Sequence, residues 1–336
     1  MLKVTLGKTG ITVNKNGFGA LPIQRITKEE AGKLLRKAYD NGVEYFDTAR
    51  AYSDSEEKIG YALSDVRKNI FLATKSHATT GKELREHLET SLKNLKTDYI
   101  DVYQFHNPSF VPKPGGEDGL YDEALKAKKE GKIRFISITN HRFTVATEAV
   151  ESGLFDTLQF PFSYLASDDD MTLMKKCVAS GMGFIAMKGL AGGLINNAKA
   201  AYTFMEQYDG VLPIWGVQRE KELDDFLGFQ DSNPTMDEEV KKIIAKDRKE
   251  LIGGFCRGCG YCLPCPAGID IPLAARMSLM LRRAPVKAFT TPEIQENMKK
   301  IENCIHCNHC KNHCPYGLDT PTLLQENYAD FKTFIK

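Results

Sequence analysis

The first 230 residues alternate short apolar segments with amphipathic ones, and this alternation limits the fold more than any other feature. Eight segments have the β-branched and aromatic composition typical of strands: 17–21, 43–46, 70–74, 100–105, 134–139, 157–160, 183–187 and 211–217. Eight βα units in about 230 residues predict an α/β fold, a (β/α)8 TIM barrel. A doubly wound open sheet is the alternative, but it gives no reason for eight units.

Helix start signals lie between these strands. Thr27-Lys28-Glu29-Glu30, Ser53-Asp54-Ser55-Glu56 and Thr80-Gly81-Lys82-Glu83 have the spacing of capping boxes, in which a hydroxyl and a glutamate satisfy the first turn. Two short apolar segments around Gly7 and Gly10 predict a small hairpin before the first βα unit.

A barrel places its functional residues where the strands end. Polar side chains lie at or directly after the predicted strand ends: Asp47, Lys75, His106, Asn140, Gln159 and Lys188. Tyr52 lies five residues after Asp47. Because the carboxyl ends of all eight strands meet at one mouth, we expect these side chains to converge there. His77, close to Lys75, is interpreted as a bystander.

The residue types indicate proton donation to a carbonyl group. A free tyrosine has a pKa of about 10, so a nearby Lys75 ammonium is expected to lower the pKa of Tyr52 toward neutrality. Asp47 would hold the ammonium in place, and His106 would orient the carbonyl oxygen. No side chain supplies a hydride, so the chemistry requires a nicotinamide cofactor.

Several sequence blocks together resemble the aldo-keto reductases. They are Gly17-Phe18-Gly19, Phe46-Asp47-Thr48-Ala49 with Tyr52, Ser55-Glu56-Glu57-Lys58-Ile59-Gly60, Lys75, and Gln104-Phe105-His106. The resemblance covers roughly residues 2–229. It implies a TIM barrel that reduces an aldehyde or ketone, or oxidises the alcohol. Tyr52 is then the proton donor, Lys75 and Asp47 tune it, and His106 orients the substrate.

The resemblance also implies contacts to the dinucleotide. Thr139, Asn140 and Gln159 would hold the nicotinamide carboxamide, and Met187 or Lys188 stands where the family often has an aromatic ring. The glycine-rich turn that begins at Gly189 would approach the pyrophosphate. Gly216 and Arg219 would lie at the adenosine end, where only Arg219 offers a cation for a 2′-phosphate. NADP(H) is therefore favoured over NAD(H).

Eight of the nine cysteines form two runs near the C-terminus. They are Cys256-x2-Cys259-x2-Cys262-x2-Cys265-Pro266 and Cys304-x2-Cys307-x2-Cys310-x3-Cys314-Pro315. The second run has the spacing of bacterial two-cluster ferredoxins, in which the last cysteine ligates the other cluster. That rule assigns Cys256, Cys259, Cys262 and Cys314 to one 4Fe–4S cluster, and Cys304, Cys307, Cys310 and Cys265 to the other. Two structural zinc sites are the alternative, but zinc usually takes two separated pairs of ligands.

These observations predict three parts. Residues 1–230 form the barrel, 231–250 a charged helical connector, and 251–336 a small C-terminal α-rich ferredoxin-like iron–sulfur domain with two 4Fe–4S clusters. With a formal net charge of +1 and no apolar run of spanning length, neither nucleic acid nor a membrane is an expected partner. We therefore expect a soluble, cytoplasmic protein.

Two functions from different classes fit the sequence. The first is a reductase of small carbonyl compounds, or oxidoreductase of the matching alcohols, joined to an electron-transfer module that serves a redox protein partner. The second is a ferredoxin-linked electron-transfer protein whose barrel binds a partner, a substrate or a flavin and does not use nicotinamide. The complete set of Asp47, Tyr52, Lys75 and His106 favours the first.

Overall fold

The structure is a computed structural model that describes residues 2–251, 255–283 and 285–335. It divides into two compact units. The first comprises Met1–Gly189 and Asn197–Ile244, and the second comprises Leu190–Asn196 and Ala245–Lys336. The domain boundaries expected after residues 230 and 250 stay predictions.

Eight parallel strands of the first unit close into a barrel, which confirms the predicted TIM fold. The strands in chain order are β1 (Lys3–Thr5), β2 (Thr12–Asn14), β3 (Gly17–Gly19), β4 (Tyr45–Asp47), β5 (Phe71–Ser76), β6 (Ile100–His106), β7 (Ile133–Thr139), β8 (Thr157–Pro161), β9 (Gly183–Met187) and β10 (Val211–Gly216). Strands β3 to β10 pair in sequence order, and β10 pairs with β3. Most barrel positions are buried, as expected where helices cover a parallel sheet.

Strands β1 and β2 form the predicted antiparallel hairpin. Their apolar side chains pack with residues of the barrel strands in one buried cluster that includes Val4, Val13, Tyr45 and Leu212. Gly7 has a φ of +51°, and a Cβ there would lie 2.2 Å from the Gly181 carbonyl oxygen. Only glycine therefore fits this turn without displacing the backbone.

Helices separate successive barrel strands. They are α1 (Lys28–Asp40), α2 (Ser55–Leu63), α3 (Gly81–Leu95), α4 (Leu120–Lys129), α5 (Phe143–Ser152), α6 (Asp168–Ala179) and α7 (Ala198–Glu206), followed by α8 (Glu220–Ser232) and α9 (Glu238–Glu250). The capping box at Thr27 is confirmed, and Thr80 accepts a hydrogen bond from the Glu83 backbone.

The capping box predicted at Ser53-Asp54-Ser55-Glu56 is wrong. Helix α2 begins at Ser55, and its N-cap Asp54 makes no side-chain capping bond. Glu56 is buried instead, and it accepts a 2.7 Å hydrogen bond from the Thr74 hydroxyl on β5. A contact between distant segments has replaced the local one that the spacing predicts.

The second unit contains helices and loops but no strand in the part that the structure describes. Its helices are α10 (Ile271–Ala274), α11 (Met277–Arg283), α12 (Pro292–Lys299), α13 (His309–Asn312) and α14 (Thr320–Phe331). A core that includes Met277, Met298, Ile301 and Phe331 also contains Cys262 and Cys310. The cysteine runs thus pack on a small apolar core of their own. No helix in the described ranges is long and apolar enough to cross a membrane.

Candidate functional site

Strand ends bring the predicted polar residues together at the carboxyl mouth of the barrel. Asp47 ends β4 and His106 ends β6, while Lys75 is the second-last residue of β5. In the barrel register Lys75 lies opposite Gln104, and His106 lies opposite Thr139. These side chains are buried, so their charges and hydrogen bonds act in a medium that screens them weakly.

Asp47 and Lys75 form a buried ion pair. The Lys75 Nζ donates to Asp47 Oδ2 at 2.5 Å and to the Thr48 carbonyl at 2.7 Å. Gln104 Nε2 donates to the other carboxylate oxygen at 3.1 Å, and Gln159 Nε2 lies 3.4 Å from Oδ2. Burial raises the pKa of Asp47 and lowers that of Lys75, while each charge opposes this effect on its partner. The carboxylate is therefore held by donors on three strands.

Tyr52 lies over this pair. The Lys75 Nζ is 5.1 Å from the centre of the Tyr52 ring, and the ring meets the His106 ring edge-on at 5.9 Å between centroids. The structure thus brings all four sequence-predicted catalytic residues into one group.

The predicted lowering of the pKa of Tyr52 is not observed. Burial raises the pKa of the phenol, and the Asp47 carboxylate raises it further. Burial is the larger of these two causes, and it was not foreseen when only the Lys75 charge was considered. Tyr52 accordingly keeps its proton at neutral pH.

His106 is a neutral imidazole with an unpredicted neighbour. Its ring stacks on His77 at 3.8 Å between centroids and 14° between planes. Burial lowers the pKa of His106 well below its ordinary value, and the charges of His77, Lys75 and His141 lower it further. Sequence reasoning interpreted His77 as a bystander. The missed signal is its position directly after the end of β5, at the mouth where the strand ends of a barrel meet.

The segment that carries Tyr52 is anchored by buried polar contacts. The Ser55 hydroxyl lies 2.9 Å from the Thr48 hydroxyl and donates to the Ala20 carbonyl at 3.0 Å. The Lys58 ammonium donates to the carbonyls of Ile23 and Ile26. The Ser55–Gly60 block of the sequence thus fixes the loop that presents the phenol.

Three of the residues predicted to contact the nicotinamide lie close together. The Met187 Sδ is 3.8 Å from both the Thr139 hydroxyl and Gln159 Nε2. The Gln159 Oε1 is buried without a hydrogen-bond partner among the described residues, so it can accept from a carboxamide. The Asn140 side chain donates to the Pro108 carbonyl and accepts from the Arg142 backbone, and its contact to the nicotinamide stays a prediction.

Residues predicted to hold the rest of the dinucleotide lie after β9 and β10. Lys188 has a φ of +59°, and Gly189 packs so closely on Trp215 that a Cβ would lie 2.6 Å from the indole. Gly216 ends β10. Arg219 precedes α8 with its side chain 74% exposed, and its Nε donates to Glu222 at 2.8 Å. The one cation predicted for a 2′-phosphate is thus paired with a carboxylate.

The eight clustered cysteines line two cavities of the second unit. Cys256, Cys259, Cys262 and Cys314 line one. Cys265, Cys304, Cys307 and Cys310 line the other. The grouping is the one that the spacing predicts, with the last cysteine of each run contributing to the other set. The roles of these thiols as ligands stay predictions.

The cavities suit a cluster better than a single metal ion. Within the described ranges, no three His, Cys, Asp or Glu side chains lie close enough to hold one ion. The thiols instead surround a space in fours. A 4Fe–4S cluster needs four thiolates around its corners, whereas zinc needs its ligands about 2.3 Å from one point. The donor set therefore fits the iron–sulfur group.

Two arginines attach the segment that follows Gly189 to the second unit. Arg276 donates to the carbonyls of Gly192 and Pro272, and its guanidinium also lies against Gly258, between Cys256 and Cys259. Arg283 donates to the Leu194 carbonyl at 2.7 Å. The glycine-rich turn predicted to approach a pyrophosphate thus belongs from Leu190 onward to the cysteine-bearing unit.

Comparisons with known proteins agree with this fold. Residues 15–206 match the Aldo/keto reductase family, and residues 255–319 match the 4Fe-4S dicluster domain. The first match spans more than half of the sequence, so the chain belongs to the aldo/keto reductase family.

Curated relatives match over part of the chain. L-galactose dehydrogenase of Arabidopsis thaliana is 30% identical over 213 residues, which are 56% of this chain and 66% of that protein. Aldo-keto reductase YhdN of Bacillus subtilis is 28% identical over 226 residues, which are 60% of this chain and 66% of that protein. The match thus spans just under two thirds of the length of each.

Solved structures share the fold. An aldo-keto reductase from Klebsiella pneumoniae in complex with NADPH superposes with a TM-score of 0.64 at 21% identity, covering 74% of this chain and 96% of that one. The holo form of aldo-keto reductase AKR11C1 from Bacillus halodurans gives 0.65 at 20% identity, with the same coverage.

Proposed function

We propose that this protein reduces an aldehyde or ketone to the alcohol with a hydride from NAD(P)H, or catalyses the reverse reaction, with Tyr52 as the proton donor. The observation that carries the proposal is the convergence of Tyr52, the Asp47–Lys75 pair and His106 at the barrel mouth. The name of the Arabidopsis relative, a sugar dehydrogenase, supports a small polyhydroxylated carbonyl compound or alcohol as substrate.

The roles of the residues follow from their chemistry. A bound reduced nicotinamide supplies the hydride to the carbonyl carbon. Tyr52 gives its proton to the carbonyl oxygen, so the C=O π bond breaks while one C–H and one O–H bond form. The Lys75 ammonium, fixed by Asp47, stabilises the phenolate until solvent returns the proton. Neutral His106 donates a hydrogen bond that orients the carbonyl oxygen.

NADP(H) is the proposed cofactor, with NAD(H) as the alternative. The buried, unpartnered Gln159 Oε1 suits a carboxamide donor, and Thr139 and Met187 lie beside it. Arg219 would have to exchange Glu222 for a 2′-phosphate. Because that ion pair is exposed, the exchange costs about 1 kcal/mol or less. NADPH in the Klebsiella structure supports the same choice.

The second unit is proposed to hold two 4Fe–4S clusters, one on each set of four cysteines. The match to a dicluster domain supports this assignment, as does the grouping of the thiols around two cavities. Such clusters supply one-electron transfer, whereas a hydride carries two electrons at once. The clusters are therefore proposed to stand outside the hydride step.

The test mixes anaerobic protein with NADPH in the presence or absence of a panel of small aldehydes and ketones, sugars included. Nicotinamide and cluster absorbance are recorded together. We expect NADPH to be consumed only when a carbonyl compound is present, with one alcohol formed per NADPH and no cluster bleaching. NADPH that stays unoxidised with every compound, or that bleaches the clusters alone, contradicts the proposal.

A second function, in which the barrel does not use nicotinamide, is favoured by two observations. Arg219 is paired with Glu222, and the Asn140 side chain is bound to loop backbone. Electrons would then come from a ferredoxin. A parallel arm with reduced ferredoxin in place of NADPH separates the two functions, because turnover with ferredoxin alone supports only the second.

A further inference from the structure

The imidazole of His106 lacks the hydrogen bond that commonly fixes such a ring. Rotation of a histidine ring about its last single bond is broad and roughly two-fold, so the torsion itself does not select one orientation. A hydrogen bond to one ring nitrogen usually makes that selection. The Nδ1 of His106 is buried without a hydrogen-bond partner among the described residues. Another contact therefore has to hold the ring if it is to orient a carbonyl oxygen.

His77 contacts His106 in two ways. Its ring stacks on the His106 ring at 3.8 Å between centroids and 14° between planes. Burial lowers the pKa of His77, while a hydrogen bond to the His106 backbone opposes that effect. A bond that favours the protonated ring is one in which the ring donates and the carbonyl accepts. The backbone bond thus fixes His77 at the end of β6, and the stack passes that position on to the His106 ring.

The charges around the two rings keep the stack neutral. Besides burial, the charges of Lys75 and His87 lower the pKa of His77. Burial lowers the pKa of His106, and the charges of His77, Lys75 and His141 lower it further. Two neutral rings attract each other through dispersion across their stacked faces, whereas two imidazolium ions would repel. The stack is therefore stable at neutral pH.

We propose that His77 is a positioning residue, whose stacked ring holds the His106 imidazole in the orientation that donates to the substrate carbonyl. The inference deepens the proposed function and rests on it. Tyr52 meets the same His106 ring edge-on at 5.9 Å between centroids, so a rotated imidazole would also change its contact with the proton donor. A misplaced orienting group slows the chemical step more than it weakens binding. Loss of the stack should therefore appear in kcat.

The test compares variants with and without a flat ring at position 77. His77→Leu and His77→Ala remove the ring, whereas His77→Phe keeps a ring that has no nitrogen. NADPH-dependent reduction is measured with D-glyceraldehyde and with the best other compound of the carbonyl panel. We expect both ringless variants to lower kcat about tenfold with KM changed less than about twofold, and His77→Phe to keep at least about half of the wild-type kcat.

A double-mutant cycle shows whether His77 acts through His106. A His106→Leu protein has already lost the orienting ring. Adding His77→Leu to it should lower kcat by less than about a further twofold, because the two residues act as one unit. A merely structural role would cost the same factor in both backgrounds. Circular dichroism, iron content and NADPH affinity from fluorescence titration should be equal in all the proteins.

His87→Leu is the matched control. His87 lies on α3 with its side chain 29% exposed, and its Nδ1 is 2.7 Å from the Ser76 hydroxyl. The substitution removes a histidine from the same neighbourhood without removing the stack. Its kcat should stay within about twofold of wild type.

Three results overturn the inference and leave the proposed function in place. One is wild-type kcat in both ringless variants. Another is an equal loss in His77→Phe and His77→Leu, which would show that the flat ring is not what holds His106. The third is the same loss from His77→Leu in the wild-type and His106→Leu backgrounds. A wild type that reduces no compound of the panel would instead defeat the proposed function, and this inference with it.

Discussion

Burial acts in opposite directions on the two groups proposed to contact the carbonyl oxygen. It raises the pKa of Tyr52 above its ordinary 10.0, and it lowers the pKa of His106 below its ordinary 6.5. Each group therefore keeps one protonation state over a wide pH range. The phenol stays protonated and the imidazole stays neutral. That state is the one carbonyl reduction requires.

The expected consequence is a flat pH profile. The kcat/KM for carbonyl reduction should be constant from about pH 6.5 to about pH 10, because neither group titrates in that interval. Oxidation of the alcohol needs the phenolate, so it should be slow at neutral pH and rise with pH. Steady-state kinetics in both directions measures this. A reduction rate that falls with a midpoint near pH 7 or 8 would contradict the assignment.

Some features of the site residues could be predicted from the sequence, whereas others became visible only in the three-dimensional structure. Asp47, Lys75 and His106 were predictable because strand ends of a barrel share one mouth. The pKa of Tyr52 was predicted in the wrong direction, because the burial of the phenol and its closeness to the Asp47 carboxylate depend on the folded structure. The contact between His77 and His106 joins the segment after β5 to the end of β6, so the pattern of a single strand does not contain it.

The close packing of helix α2 against helix α3 can be tested by a substitution at Gly60. A Cβ on Gly60 in α2 would lie 2.2 Å from the Asn94 carbonyl oxygen in α3. Gly60→Ala should therefore destabilise the protein by about 1–3 kcal/mol through overpacking. Thermal or urea unfolding of the barrel, with cluster content matched, measures the change.

Gly228 provides the matched control. It lies on the exposed side of α8, and a Cβ there would meet nothing within 4 Å. Gly228→Ala should stabilise by about 0.4–1 kcal/mol, because alanine loses less conformational freedom on folding. If both substitutions change stability by the same amount and in the same direction, the contact between α2 and α3 does not restrict the size of the side chain at position 60.

The sequence predicted where strands and helices begin and end wherever a local sequence pattern determines those positions. The eight barrel strands lie where β-branched and aromatic runs predict them, and Thr27 caps α1 as its spacing predicts. The capping box predicted at the start of α2 was wrong because Glu56 binds Thr74 and Asn94. Those partners are 18 and 38 residues away, beyond the range of a capping motif.

The metal content of the whole protein tests the assignment of two iron–sulfur clusters. Protein prepared without oxygen should be brown and contain about eight iron atoms per chain and no stoichiometric zinc. The reason is that two sets of four thiols line two cavities, and four thiolates are what each 4Fe–4S cluster needs. Metal analysis that finds zinc alone would overturn the iron–sulfur assignment.

The division of the chain into units was only partly predictable. The cysteine spacing indicated a separate C-terminal region, and the family matches agree. That Leu190–Asn196 belongs to the same unit as the cysteines was not predicted. The contacts responsible join Arg276 to Gly192 and Arg283 to Leu194, across 84 and 89 residues. Such contacts leave no periodic signal in the sequence.

The central claim is that the phenol of Tyr52 protonates the substrate. The most direct measurement compares carbonyl reduction by Tyr52→Phe and by Tyr61→Phe, which removes the hydroxyl of an exposed tyrosine on α2. We predict that Tyr52→Phe lowers kcat/KM about 10²–10⁴-fold with NADPH affinity unchanged, while Tyr61→Phe behaves as wild type. Equal activity of Tyr52→Phe and wild type would contradict the account.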